Sequence, residues 1–334
     1  MSGSEDHLER GSELLDVRDL TIAFPAAEAP LLAADRVNFS VAAGQTLGLV
    51  GESGCGKSVT LRSLLGLVPY PGEVVSGEIR WRGADIGGAS KKRLGEIRGA
   101  EISMVFQDPT SCLNPVFTVG DQITETLRKR AGLSSRKARE RAIELLDRVG
   151  VPSPEQRLKA YPHQFSGGMR QRVMIAIAIS TRPKLLLADE PTTALDVTTQ
   201  EEILALLMET QEETGMAVVL VSHDLGVISE TCDDVIVMYA GKVLEAGHGP
   251  AVMRSPRHPY TDGLIKAMPS LEVTDEPATA PIPGQPPNLA DLPPGCPFSP
   301  RCQFSRPECD SVPVVLDADL EAHGSACPFE GGRV

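Results

Sequence analysis

The chain has 334 residues, room for one large domain or two smaller ones. Hydrophobic residues make up 41% and charged residues 23%, the balance of an ordinary soluble protein. A formal net charge of −13 without a Lys/Arg block argues against nucleic acid as main partner. The longest apolar runs, Val173 to Ile179 and Met216 to Val221, fall far short of the roughly 20 residues of a membrane span.

The N-terminus is polar and acidic, unlike a secretory signal, and residues 1–13 are expected to be a flexible lead-in to an intracellular protein. Leu14 to Phe24 alternates apolar and polar residues and predicts a strand; Arg36 to Val41 predicts a second. Leu47 to Val50 reads as a buried strand, Ser58 to Leu65 as a helix, and Gly77 to Arg82 and Glu101 to Phe106 as short strands. Helical patterns fill Thr118 to about Thr181. The clearest runs from Ser134 to Val149, with Ser134 or Ser135 as cap and Gly150 as stop. Strand and helix then alternate: strand Leu185 to Ala188, helix from Thr198 with a Thr198/Glu201 capping box, strand Val218 to Val221, helix from Asp224, strand Val235 to Met238. Such alternation predicts a parallel sheet covered by helices. After about Gly249 the composition shifts, and Pro269 to Pro300 predicts irregular structure.

Gly51-Glu-Ser-Gly-Cys-Gly-Lys-Ser58 fits the P-loop pattern G-x-x-x-x-G-K-[ST] between a predicted strand and a predicted helix. Glycines turn backbone N–H groups toward phosphates, Lys57 suits the β- and γ-phosphates, and Ser58 offers an oxygen to Mg²⁺. Leu185 to Glu190 is an apolar strand ending in two carboxylates. Beside a P-loop this is the Walker B pattern, with Asp189 for Mg²⁺ and Glu190 to polarise the attacking water. Phe165-Ser-Gly-Gly-Met169 opens a helix with Ser166, Gly167 and Gly168, an anion-site pattern.

That last segment resembles the signature LSGGQ of ATP-binding cassettes (ABC), with Phe165 for Leu and Met169 for Gln. The remaining cassette motifs follow in order. Gln107 resembles the Q-loop residue, Ala194-Leu195-Asp196 the D-loop, His223 the switch histidine, and Phe24 the aromatic that stacks on adenine. The resemblance implies an α/β P-loop nucleotide-binding domain over 14–249, with an antiparallel β subdomain and an inserted helical subdomain at about 107–181. It implies that Gly51, Ser53, Gly54, Gly56, Lys57, Ser58 and Val59 hold ATP, and that Ser58, Gln107 and Asp189 hold Mg²⁺. It implies that Glu190 activates water and His223 contacts the γ-phosphate. Ser166, Gly167 and Gly168 would close over the ATP of a partner cassette, and Asp196 of the D-loop would belong to the nucleotide-binding residues.

Phe106 to Asp121, Gly168 to Met174, His258-Pro-Tyr-Thr261 and Gly295 to Cys302 are similar to the ATPase subunits of bacterial oligopeptide/dipeptide importers. The resemblance then covers nearly the whole chain. It implies an ATP-hydrolysing motor on the cytoplasmic face of the cell membrane. Its partners would be a second ATPase subunit paired with it as a heterodimer, two permeases that supply the membrane contact, and an extracytoplasmic solute-binding protein. Nickel importers share these features, so nickel or another small solute is the alternative cargo; a soluble non-transport ABC ATPase is a remoter one.

Residues 250–334 are expected to form a C-terminal extension holding Cys296, Cys302, Cys309 and Cys327, spaced C-x5-C-x6-C-x17-C. Without a C-x2-C pair the spacing matches a zinc ribbon poorly. Four thiolates suit a [4Fe–4S] cluster, which some members of the resembled family carry there; zinc and unmetallated thiols are the alternatives. His323 is expected to be solvated, with ligation as its other role.

Overall fold

A computed structural model describes residues 11–192, 195–268, 282–316 and 322–329. Ala194 of the D-loop motif, and parts of the N-terminal segment and the extension, lie outside the described residues. The strands are β1 (Glu13–Phe24), β2 (Leu31–Ala42), β3 (Thr46–Val50), β4 (Glu73–Trp81), β5 (Ala84–Asp85), β6 (Ile102–Val105), β7 (Leu185–Asp189), β8 (Ala217–Ser222), β9 (Asp234–Tyr239), β10 (Lys242–His248) and β11 (Gly324–Ser325). The α-helices are α1 (Lys57–Ser63), α2 (Lys91–Ile97), α3 (Pro109–Cys112), α4 (Val119–Arg130), α5 (Ser135–Arg148), α6 (Pro154–Arg157), α7 (Gly167–Ile179), α8 (Val197–Thr214), α9 (Leu225–Thr231), α10 (Gly249–Arg254) and α11 (Pro259–Lys266). They group into two compact units.

One unit comprises Glu13–Ala42, Thr46–Ala89 and the described residues from Leu220 onward. It holds an antiparallel sheet ordered β2-β1-β4-β5. Leu15, Val17, Leu20 and Ile22 of β1 are buried, but Leu14, Asp16, Thr21 and Ala23 are buried as well, so both faces of the strand are covered rather than one. The spacing slips between Val17 and Leu20, where Asp19 takes φ 48 and the ladder shifts register. β2 begins at Leu31 rather than Arg36, because Leu31, Leu32 and Ala34 pair with the end of β1. In the same unit β3 runs parallel to β9, β9 antiparallel to β10, and β10 antiparallel to β11. The described residues after Gly249 belong to this unit: β11 extends its ladder, and α10 and α11 follow β10 in the chain.

The other unit includes Ala43–Gln45 and Ser90–Val219. Here β6 runs parallel to β7, and all five residues of β7 are buried, as a strand covered on both faces requires. α5 buries Ala138, Ala142, Leu145 and Leu146, and Ser134 caps it by accepting from the Lys137 N–H at 3.5 Å. The start of α8 differs from expectation. Its cap is Asp196, whose carboxylate accepts from the Thr199 N–H at 3.0 Å. Thr198 thus lies one residue inside the helix and forms no capping box; a carboxylate one position before the first turn is the better-placed acceptor.

Candidate nucleotide site

The P-loop links the buried strand β3 to α1. Two glycines are forced by close packing. A Cβ on Gly51 would stand 2.1 Å from the Met238 carbonyl oxygen, and one on Gly56 would stand 2.1 Å from that of Ala33. Both also have positive φ, 155° and 108°, which glycine alone adopts without strain. Lys57 is buried, and its ammonium donates to the carbonyls of Gly51 (2.6 Å) and Glu52 (3.0 Å). Those bonds place the cation inside the arch of the loop. The thiol of Cys55, buried in the same arch, is pushed up in pKa by burial.

Glu52 is tied to residues far along the chain. Its carboxylate takes both arms of the Arg301 guanidinium, at 2.6 and 3.0 Å, and its N–H donates to the Tyr260 hydroxyl at 2.9 Å. Burial raises the pKa of Tyr260, so it is a neutral phenol. The rings of Tyr239, Tyr260 and Phe298 pack against one another behind this contact. Sequence reading missed Glu52, Tyr260 and Arg301, since nothing local marks a contact across 249 positions.

Phe24 ends β1 and lies against Gly72, where a Cβ would meet the ring at 2.5 Å. His223 follows β8 and is exposed. These residues and the P-loop belong to one unit; Gln107, Ser166, Gly167, Gly168, Asp189, Glu190 and Asp196 belong to the other.

In that second unit β7 ends on Asp189, wholly buried, and the chain then turns at Glu190 with φ 47. A left-handed glutamate costs about 1–2 kcal/mol and is the kind of strain that collects at functional sites. Gln107, just beyond β6, donates its amide Nε2 to Glu190 Oε2 at 2.8 Å. The parallel pairing of β6 with β7 brings these two strand ends together. Ser166 caps α7, accepting from the Met169 N–H at 3.3 Å, and Gly167 and Gly168 form its first turn. Gln171 of α7 donates to the Pro191 carbonyl, tying the signature helix to the segment after Glu190. The Asp196 carboxylate is held below its usual pKa by the Thr199 N–H and hydroxyl.

Cys296, Cys302, Cys309 and Cys327 all line one pocket, with Phe298, Arg306 and other residues. None of the four is in a disulfide. Burial pushes the Cys296 thiol up to about 11. Among the described residues no three His, Cys, Asp or Glu side chains stand together as ligands of a metal ion. His323 departs from the expectation of a solvated side chain: its Nε2 pairs at 2.6 Å with Glu245, a carboxylate with no exposure. Glu245 also accepts from the N–H groups of Arg257 (2.7 Å) and His258 (2.8 Å). Among the described residues no helix is long and apolar enough to cross a membrane.

Comparison with known proteins places these features. The family described as ABC transporter matches residues 34–193, and that described as oligopeptide/dipeptide transporter, C-terminal region, matches 244–309. The dipeptide transport ATP-binding protein DppD of Escherichia coli (strain K12) is 46% identical, over 95% of this chain and 96% of the relative. The oligopeptide transport ATP-binding protein OppD of Haemophilus influenzae is 47% identical, over 90% of this chain and 93% of the relative. A dimeric post-hydrolysis structure of the ATP-binding cassette MJ0796 bound to ADP and Pi superposes with TM-score 0.64 at 30% identity, covering 70% of this chain and 98% of that one. With a P-loop, a Walker B strand end and both family regions on one polypeptide, the chain belongs to the ATP-binding proteins of ABC transporters, in the group that carries the oligopeptide/dipeptide transporter C-terminal region.

Proposed function

We infer that this chain is the ATP-hydrolysing motor subunit of an ABC importer for di- or oligopeptides. The observation that carries the reading is the presence of the cassette and the peptide-transporter C-terminal region on one chain, matched nearly end to end by peptide-transport relatives. Lys57 and the loop Gly51 to Val59 bind the phosphates, and Phe24 stacks on the adenine. Ser58, Gln107 and Asp189 present oxygen donors, a set suited to the hard cation Mg²⁺ that neutralises phosphate charge. Glu190 takes the proton of the attacking water. Gln107 orients that carboxylate through its amide hydrogen bond. His223 contacts the γ-phosphate. Ser166, Gly167, Gly168 and Asp196 complete the ATP site of a second cassette; the dimeric MJ0796 structure supports this arrangement.

The domain reading is an ABC domain over 14–249, with helices α3–α7 as its inserted subdomain, followed by an extension over 250–334. Partners are a second ATPase subunit in a heterodimer, two permeases and an extracytoplasmic solute-binding protein. The chain sits peripherally on the cytoplasmic face of the bacterial membrane. A [4Fe–4S] cluster is the reading of the four cysteines. Their shared pocket and the Arg306 cation on its wall support it. Zinc is the alternative, and the C-x5-C-x6-C-x17-C spacing without a C-x2-C pair gives it less support. Iron content and visible absorption of anaerobically purified protein test this; a colourless, iron-free chain refutes it.

The test of function is ATP hydrolysis by this chain alone and with co-expressed permeases and sister ATPase, in membranes supplied with di- and oligopeptides. Hydrolysis that needs the assembly and rises with peptide-loaded binding protein supports the motor. Full activity of the lone chain, indifferent to permeases, favours a soluble ATPase and refutes it. Stimulation by nickel-loaded binding protein alone shifts the cargo.

A further inference from the structure

Glu52 is fixed at four of its atoms. Arg301 grips the carboxylate, the Tyr260 hydroxyl accepts from the N–H, and the backbone carbonyl accepts from Lys57 Nζ. The arginine is itself held. Its Nε donates to the Pro283 carbonyl at 2.9 Å and one Nη donates to the Tyr239 hydroxyl at 3.3 Å. Its side chain is 7% exposed against 24% for Glu52. Exposed ion pairs contribute little, but a two-armed guanidinium–carboxylate fork on a shielded arginine fixes geometry. Arg301 ends the short turn Ser299–Arg301, and the chain enters and leaves that turn near Cys296 and Cys302.

We propose that Arg301 is a positioning residue for the P-loop, and that through it the C-terminal extension sets the affinity for ATP. The route is short. Arg301 and Tyr260 fix Glu52, and the Glu52 carbonyl fixes the ammonium of Lys57. Releasing the fork lets the loop and Lys57 drift from the geometry that receives phosphates. The proposal rests on the reading of Gly51 to Ser58 as the ATP-binding loop.

The test is steady-state hydrolysis against Mg·ATP concentration in the assembled transporter, for wild type, Arg301→Ala, Arg301→Lys, Glu52→Gln and the double variant Arg301→Ala/Glu52→Gln. Losing the fork raises KM about 5–10-fold, the effect of roughly one charge-assisted contact, while kcat at saturating ATP stays within about twofold. Arg301→Ala and Glu52→Gln have the same effect, and the double variant is no worse than either, because both break one interaction. Arg301→Lys keeps the charge without the fork and recovers part of the loss. Unchanged KM in Arg301→Ala, or losses that multiply in the double variant, overturns the clamp. If Arg301→Ala misfolds, Glu52→Gln carries the test, since it keeps the side-chain size at a partly exposed position; a wild-type KM there overturns the clamp. Wild type that neither binds nor hydrolyses ATP overturns the loop reading itself and the clamp with it.

Discussion

The amide of Gln107 donates to the carboxylate of Glu190 at 2.8 Å, across the C-terminal ends of two adjacent parallel strands. That bond orients the group proposed to take the proton of the attacking water. Glu190→Gln keeps the size and removes the base. It is expected to lower kcat by about 10²–10⁴-fold, the range of general-base catalysis, while ATP affinity stays within about twofold. Gln107→Ala is expected to lower kcat less, since the carboxylate remains. Rapid-quench hydrolysis and equilibrium nucleotide binding separate the two effects, and wild-type turnover in Glu190→Gln removes Glu190 from the role.

Lys57 is buried, and its bonds are made to carbonyls of its own loop. Lys57→Ala removes the one ammonium in the arch and is expected to weaken ATP binding about 10–100-fold, the scale of one strong charge-assisted contact. The fold should persist, because truncation leaves carbonyls and no unpaired charge. Equal affinity in wild type and variant would take Lys57 out of the phosphate site.

Most of the site was legible in the sequence because it is written in short segments. Gly51 to Ser58, Leu185 to Glu190 and Ser166 to Gly168 each carry their chemistry within about eight residues, and their strand or helix context follows from periodicity. The P-loop strand, the strand ending on Asp189 and the cap of α5 all lie where the pattern puts them. Contacts between distant segments were not legible. Glu52 reads as an arbitrary x in a motif until Arg301 is seen on it, and His323 reads as a surface residue until Glu245 is found beside it. The Thr198/Glu201 box failed for a local reason: two acceptors competed for one helix start, and Asp196 lies at the better position.

The cysteines should react in the order of their exposure. Cys112 is exposed, whereas Cys55 and Cys232 are buried, and burial pushes Cys232 up to about 12. The thiolate is the nucleophile, so both buried thiols should resist alkylation in the folded chain. Brief iodoacetamide treatment at pH 8 followed by peptide mass spectrometry should find Cys112 modified and Cys55 and Cys232 largely intact. Modification of Cys55 at the rate of Cys112 would show that the P-loop arch is open to solvent.

His258 predicts how acid destabilises the extension. Its Nδ1 accepts from the Tyr260 N–H at 3.1 Å at the start of α11, and burial holds its pKa at about 3 against an ordinary 6.5. The folded ring is therefore neutral throughout the range in which the unfolded ring takes up a proton. Its contribution is intact above pH 6.5 and is lost as pH falls from 6.5 toward 3, with a slope of up to about 1.4 kcal/mol per pH unit. His258→Asn keeps a side-chain acceptor for the helix cap and removes the titration. Urea unfolding at pH 7.5 and 5.5 should show wild type losing about 1 kcal/mol more than the variant between the two conditions. The sign follows from the neutral folded form: a ring stabilised as a cation by Glu245 would make wild type gain on the variant in acid, and parallel losses would mean that His258 does not couple to folding at all.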